Sequence, residues 1–192
     1  FWVAGGDATH PLGTDTFGRD VATRLLFGVR ISLFIAVVGG LVTSSLGTAI
    51  GMLSGYVGGR LDAIIMRLVD IGLALPGILL AMVLALVLGS GVTNVIVIIG
   101  IIYWGRFARV ARGEVLSIKQ RDYVALARVA GGHGGYIALR HILPNLLDTM
   151  VVMTTLVMGH LILLEASLSF LGVGVPPPAP TWGAMIAEGR NV

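Results

Sequence analysis

The sequence predicts an all-α membrane protein that crosses the bilayer about four times. Three observations carry this. Of the 192 residues, 56% are hydrophobic and only 12% are charged. A soluble domain carries about 25% charged residues. The mean hydropathy is +0.94, and the apolar residues gather into long uncharged runs. The 28 glycines suit close packing of helices in lipid. This balance argues against a soluble enzyme and excludes a disordered chain. Cysteine is absent, so there is no disulfide, thiolate metal site or cysteine nucleophile.

Residues 1–30 are read as an extracytoplasmic segment. Its first twenty residues are polar and turn-rich. Within 20–33, Val21, Leu25, Leu26, Val29 and Leu33 recur at helical spacing with Asp20, Arg24 and Arg30 between them. This is either an interfacial helix or the start of the next span. A transmembrane domain follows over 31–171. Its first span, about 31–53, has no charge and is long enough for a ~30 Å hydrocarbon core. Gly47, Gly51 and Gly55 stand four apart and mark a helix-packing face. Residues 56–67 read as a short polar turn. The second span, about 68–88, contains Pro76, which kinks or breaks it. Asp70 near its start reads as an interfacial acid, paired with Arg67, or as a pore or subunit contact. Gly89-Ser90-Gly91 closes a turn into the third span, about 92–107, whose helix continues into water through Arg106, Arg109 and Arg112. The fourth span, about 146–171, holds His160 and Glu165. Residues 172–192 form an extracytoplasmic Pro-rich segment with Trp182 at headgroup level.

Charge bias orients these spans. The N-terminal segment, the 89–91 turn and the C-terminal segment balance Arg19, Arg24, Arg30 and Arg190 against Asp7, Asp15, Asp20 and Glu188. The 56–67 turn and the 106–141 loop hold nine basic residues against Asp62, Glu114 and Asp122. The positive-inside rule puts this second set in the cytoplasm. Both ends of the sequence then face outward, and a complete protein with cytoplasmic termini would need a further span at each end.

The 106–141 loop is too long to be only a connector. Within it, 122–130 (DYVALARVA) is a strong helix former. Tyr123, Leu126, Ala127 and Ala130 can share a face, and Gly131 is a natural stop. The helix reads equally as a docking surface or as a solvated or membrane-surface helix.

The stretch SIKQRDYVALARVAGGHGGYIALRHILPN resembles the EAA motif of ATP-binding-cassette (ABC) importer permeases. Ala127, Gly131, Leu143 and Pro144 fall on the motif's spacing. Ala125 stands where the family has glutamate, and Leu126 where it has the first alanine. Further segments match in order: HPLGTDTFGRDVATRLLFGVRISL, GYVGGRLDAIIMRLVDIGLALPGILLAMVLALVLG, RFARVARGEVLSIKQRDYVALARVAG, RHILPN and EASLSFLGVGVPPPAPTWGAMIAEGR. Together they resemble the second (C-type) permease of dipeptide, oligopeptide and nickel import systems.

The resemblance implies a polytopic ABC type I importer transmembrane domain, with four of the family's usual six spans in this sequence. One span would precede Phe1 and one would follow Val192. It implies a bacterial or archaeal cytoplasmic (inner) membrane protein, not an enzyme, forming half of a pathway for peptides or a related small solute. The implied partners are a second permease subunit, two ATP-binding-cassette ATPase subunits, an extracytoplasmic substrate-binding protein and membrane lipid, with no nucleic acid. ATP and Mg would be used by the ATPase subunits, and no cofactor would be bound by this chain, which has no GxxxxGK[ST] loop. The implied coupling residues are Tyr123, Ala125, Leu126, Ala127, Arg128, Gly131 and Pro144. Glu165, His160 and Trp182 are candidates for the pathway or its rim. Pro76, Gly47, Gly51 and Gly55 are candidates for helix bending or packing. No catalytic or metal-ligating set is expected. An ion-coupled transporter or channel working without ATPase subunits is the alternative. An intramembrane hydrolase would need Ser90 and His160 as a dyad.

Overall fold

In the computed structural model the described residues are 10–15 and 17–189. Asp7 and Arg190, both counted in the charge balance, lie outside them with the rest of residues 1–9 and 190–192. Eight α-helices follow in order: α1 (Val21–Val57), α2 (Gly59–Ala74), α3 (Gly77–Leu88), α4 (Val92–Ile118), α5 (Asp122–Val129), α6 (Gly134–Ile137), α7 (Leu143–Phe170) and α8 (Trp182–Gly189). A π-helical stretch, Ala138–Ile142, joins α6 to α7. Among the described residues three helical segments are long and apolar enough to cross a membrane, and α2 with α3 makes a fourth if the bent pair is one span.

Segment 20–33 is not a separate interfacial helix. It is the start of α1, which runs unbroken for 37 residues. The Asp20 side chain caps it, accepting from the Thr23 amide at 2.8 Å. At ~1.5 Å per residue α1 is roughly 55 Å long, so it reaches well beyond a bilayer core. The polar turn expected at 56–67 shrinks to Gly58, whose φ of 73° ends α1 and lets α2 begin at once. The second span is not one kinked helix. Leu75 and Pro76 are both extended, and α2 and α3 meet at 93°. Proline disfavours helical backbone in the residue before it, which produces this break.

α4 is the central post, flanked by α1, α2, α3 and α7. Its close approach to α1 rests on three glycines. A β-carbon on Gly47 would stand 2.5 Å from the Phe107 Cβ, one on Gly51 2.8 Å from the Ala108 Cα, and one on Gly55 2.9 Å from the Arg112 carbonyl. Side chains at these points would force the helices apart. Around this seam Ile35, Ile98, Ile99, Phe107, Leu146 and Leu161 are fully buried.

The bundle has two chemically different ends. At one, the end of α1, the start of α2, the end of α4, α5, α6 and the start of α7 meet and gather most of the basic residues. At the other lie residues 10–20, the α3–α4 turn, the hairpin after α7, and α8.

Candidate functional site

At the basic end, polar contacts fix where α4 emerges. Asp62 accepts from Arg112 Nη2 at 2.6 Å and Nε at 3.1 Å, and also from the Ser54 hydroxyl. Lys119 Nζ donates to the carbonyls of Gly55 (3.1 Å) and Tyr56 (2.8 Å). Those carbonyls belong to the last turn of α1, where a cation is favourable. Asp70 pairs with Arg109 of α4 rather than with Arg67, because the helix interface sets its neighbour.

α4 thus projects as one 27-residue rod, and α5 follows after a tight turn. Val124 anchors α5, fully buried in the common core. Other α5 side chains face out: Leu126 is 68% and Val129 87% exposed, and Ala125 and Arg128 are exposed as well. Ala127 is half-buried against the core. Gly131 ends the helix with φ 82°, a left-handed backbone that glycine adopts without penalty. The Gly132 amide returns to the Ala127 carbonyl at 2.9 Å.

Tyr123 joins a row of rings that sequence spacing does not reveal. Its ring centroid is 6.4 Å from His141, His141 is 5.5 Å from Tyr136, and Tyr136 is 6.1 Å from His133. His133 Nδ1 accepts from the Tyr136 amide at 2.9 Å and caps α6. These residues share no periodicity, and only the α5–α6 turn brings them together. Pro144 is exposed at the second position of α7, directly after the π-helical stretch.

The far end is held by charges. Arg24, with an 11% exposed side chain, donates to both Asp15 and Glu188. Arg19 bonds the same two acids, with Nε 2.7 Å from Asp15 and Nη2 3.2 Å from Glu188. Burial pushes the Asp15 carboxyl up, but the Arg19 and Phe17 amides and the Arg19 guanidinium outweigh it and lower the pKa to about 2. Glu188 is held below the usual carboxylate range, chiefly by the Arg24 hydrogen bond. Asp20 is lowered by the Thr23 hydroxyl and then by the Thr23 amide.

Trp182, a candidate for the rim, lies against α1. Its Nε1 is 3.4 Å from the Leu25 carbonyl, and a β-carbon on Gly28 would stand 3.2 Å from its ring. Glu165 of α7 is fully buried, with its carboxyl group against Ser32 of α1. His160 is exposed on α7, with Nδ1 3.4 Å from the Leu156 carbonyl. Ser90 lies in the α3–α4 turn and makes no hydrogen bond to His160 among the described residues. Pro76 is exposed at the α2–α3 corner.

Residues 47–190 match the family described as binding-protein-dependent transport system inner membrane component. Over 187 residues, 97% of the chain, it is 44% identical to a glutathione transport system permease protein, GsiD, of Pectobacterium atrosepticum, of which 62% is covered. It is 42% identical over 182 residues to a putative peptide permease protein of Brucella suis, with 95% of the chain and 60% of the relative covered. A putative peptide permease protein of Brucella ovis matches to the same extent. The chain spans about three fifths of the length of these curated relatives. With a matched family over most of its length and an all-helical, multi-pass fold, the chain belongs to the inner membrane components of binding-protein-dependent transport systems.

Proposed function

We propose that the chain forms half of the translocation pathway of an ATP-driven importer for peptides or a related small solute, and that α5 is where ATPase subunits dock. The observation that carries this is the α5 surface. An eight-residue helix, anchored by Val124 at the end of the rigid α4, turns Leu126 and Val129 outward beside Arg128. Exposed apolar side chains in water are costly unless a partner covers them. The basic residues at this end put it in the cytoplasm, where ATP and Mg would be used by those subunits.

In this reading ATP-driven movement of the ATPase pair acts on α5 and is transmitted through α4 to the α1–α4 seam. A second permease subunit completes the pathway, and an extracytoplasmic binding protein delivers the solute at the far end. Peptides are favoured as solutes because the relatives are named as glutathione and peptide permeases. His160, exposed, and Ser167, half-buried, lie seven residues apart on one side of α7, polar groups suited to a solute-facing wall.

The test is Leu126→Asp in the full-length protein. ATPase subunits should copurify with the parent but not with the variant, and ATP-dependent peptide uptake should be lost while the protein stays in the membrane. Unchanged copurification and uptake in the variant would refute the docking assignment.

A further inference from the structure

Glu165 is a carboxyl group inside a membrane-crossing helix, fully buried, and it makes no ion pair among the described residues. Such groups are costly in lipid unless their hydrogen-bonding capacity is met. Here it is met by two hydroxyls from different places. Ser32 of α1 lies 2.9 Å from Oε2, and Ser169 of α7 donates to Oε1 at 2.8 Å. Ser169 Oγ in turn accepts from the Val175 amide at 3.2 Å. A continuous chain of hydrogen bonds therefore runs from α1, through α7, into the backbone of the hairpin that leads to α8.

The hairpin is folded hard onto the end of α7. A β-carbon on Gly174 would stand 2.7 Å from the Ser169 Cα, and one on Gly183 2.7 Å from the Ala166 Cα. The Gly174 carbonyl also accepts from the Gly91 amide at 3.1 Å, which ties in the α3–α4 turn. The Glu165 side chain is the point at which this assembly is bonded to the interior of α1.

We propose that Glu165 is a positioning residue that joins α1 to the far-end hairpin through Ser32 and the Ser169–Val175 relay. It acts by hydrogen bonding and not by charge. Ser169 Oγ accepts from the Val175 amide and donates its one hydrogen to Oε1. The Ser32 hydroxyl donates to Oε2 and keeps lone pairs with which it can accept from another side chain at 165. Glutamine meets both demands, since its oxygen accepts from Ser169 and its NH2 donates to Ser32. Leucine meets neither. A residue that bound solute or carried a proton would instead require the carboxyl group itself.

The experiment uses the full-length protein in its native membrane, free of other cysteines, in a Val175→Cys background that keeps the backbone N–H. Maleimide labelling of this buried position reads how tightly the hairpin is seated. Glu165→Gln should label within about twofold of the parent, whereas Glu165→Leu and the milder Ser169→Ala should label about tenfold faster, as expected for losing a buried hydrogen bond. Equal labelling of all variants, or Glu165→Gln as fast as Glu165→Leu, would overturn the proposal. Solute uptake adds a second reading that rests on the import function. Ser169→Ala should lower the maximal rate with the half-saturating concentration unchanged, and Glu165→Gln should keep the parent's rate. A parent without any uptake would refute the import function, while the labelling still decides the joint.

Discussion

Gly51 of α1 lies directly against the backbone of Ala108 in α4, with no room for a β-carbon between the Gly51 Cα and the Ala108 carbonyl. The same is true one turn earlier, where Gly47 meets Phe107, and to a lesser degree one turn later, where Gly55 meets Val115. The most extensive helix contact of the bundle, α1 against α4, is thus backbone on backbone at its centre. Any solute-driven or ATP-driven movement must respect this seam.

Gly51→Ala should destabilise the bundle by about 1–3 kcal/mol, the usual cost of overpacking, and Gly47→Leu by more. Gly55→Ala should cost less, because its nearest neighbours start at 2.9 Å. Gly72→Ala is the control: nothing lies within 4 Å of its β-carbon position, so the change should be neutral or stabilise by about 0.5–1 kcal/mol through helix propensity. Thermal unfolding in detergent, followed by loss of the monodisperse species, measures the order.

The packing role of these glycines is legible in the sequence, because a four-residue spacing of small residues in an uncharged run has one common use. The apolar runs and the stop at Gly131 are legible for similar local reasons. The unbroken α1 is not. Arg24 and Arg30 look like the polar face of a surface helix, and only the Arg24 contacts with Asp15 and Glu188, the latter 164 residues away, show how a cation is accommodated there. The 93° corner at Pro76 is visible in the sequence only as a kink or break, since proline marks the position but not the angle. Arg109 beside Asp70 and Ser32 beside Glu165 come from helices distant in sequence, and the spacing of Tyr136 and His141 within the EAA-like stretch does not show that their rings meet, so packing brings each of these groups together.

Gly131→Ala should impair coupling while leaving the spans intact. A φ of 82° costs an L-residue about 1–2 kcal/mol. The expected result is a protein at normal membrane abundance with uptake reduced several-fold. Normal uptake by Gly131→Ala would mean that the end of α5 tolerates refolding without loss of function.

The far-end clasp should be pH-dependent on the acid side only. The Asp15 carboxyl is lowered from 3.8 to about 2, and Glu188 is also lowered. A carboxylate with a depressed folded pKa stabilises the folded state above its unfolded pKa and loses that contribution as pH falls through the folded value. The clasp should therefore be constant between about pH 5 and 8 and loosen from about pH 4 down toward pH 2. A spin label attached at neutral pH to a cysteine introduced at Ala184 reports this as a rise in mobility on acidification. Arg24→Met should be mobile already at neutral pH and show a much weaker acid response.

Lys119→Met should weaken the last turn of α1 by about 0.5–2 kcal/mol, since two terminal carbonyls lose a charged donor. The effect is local. Hydrogen exchange should rise at Gly58 and Gly59, where α1 gives way to α2, and should stay unchanged at the Gly47–Gly51 seam. Uniform exchange throughout would mean that Lys119 does not act as a cap.

The central claim is that α5 is a docking helix for ATPase subunits. The most direct measurement is site-specific photocrosslinking from residue 126 of the full-length protein in its native membrane, with the captured chains identified by mass spectrometry. A crosslink to an ATPase-type subunit is expected from position 126, and none from an exposed control outside α5, Leu41 on α1. Crosslinks from position 126 to lipid alone, under conditions where known transporter complexes remain intact, would contradict it.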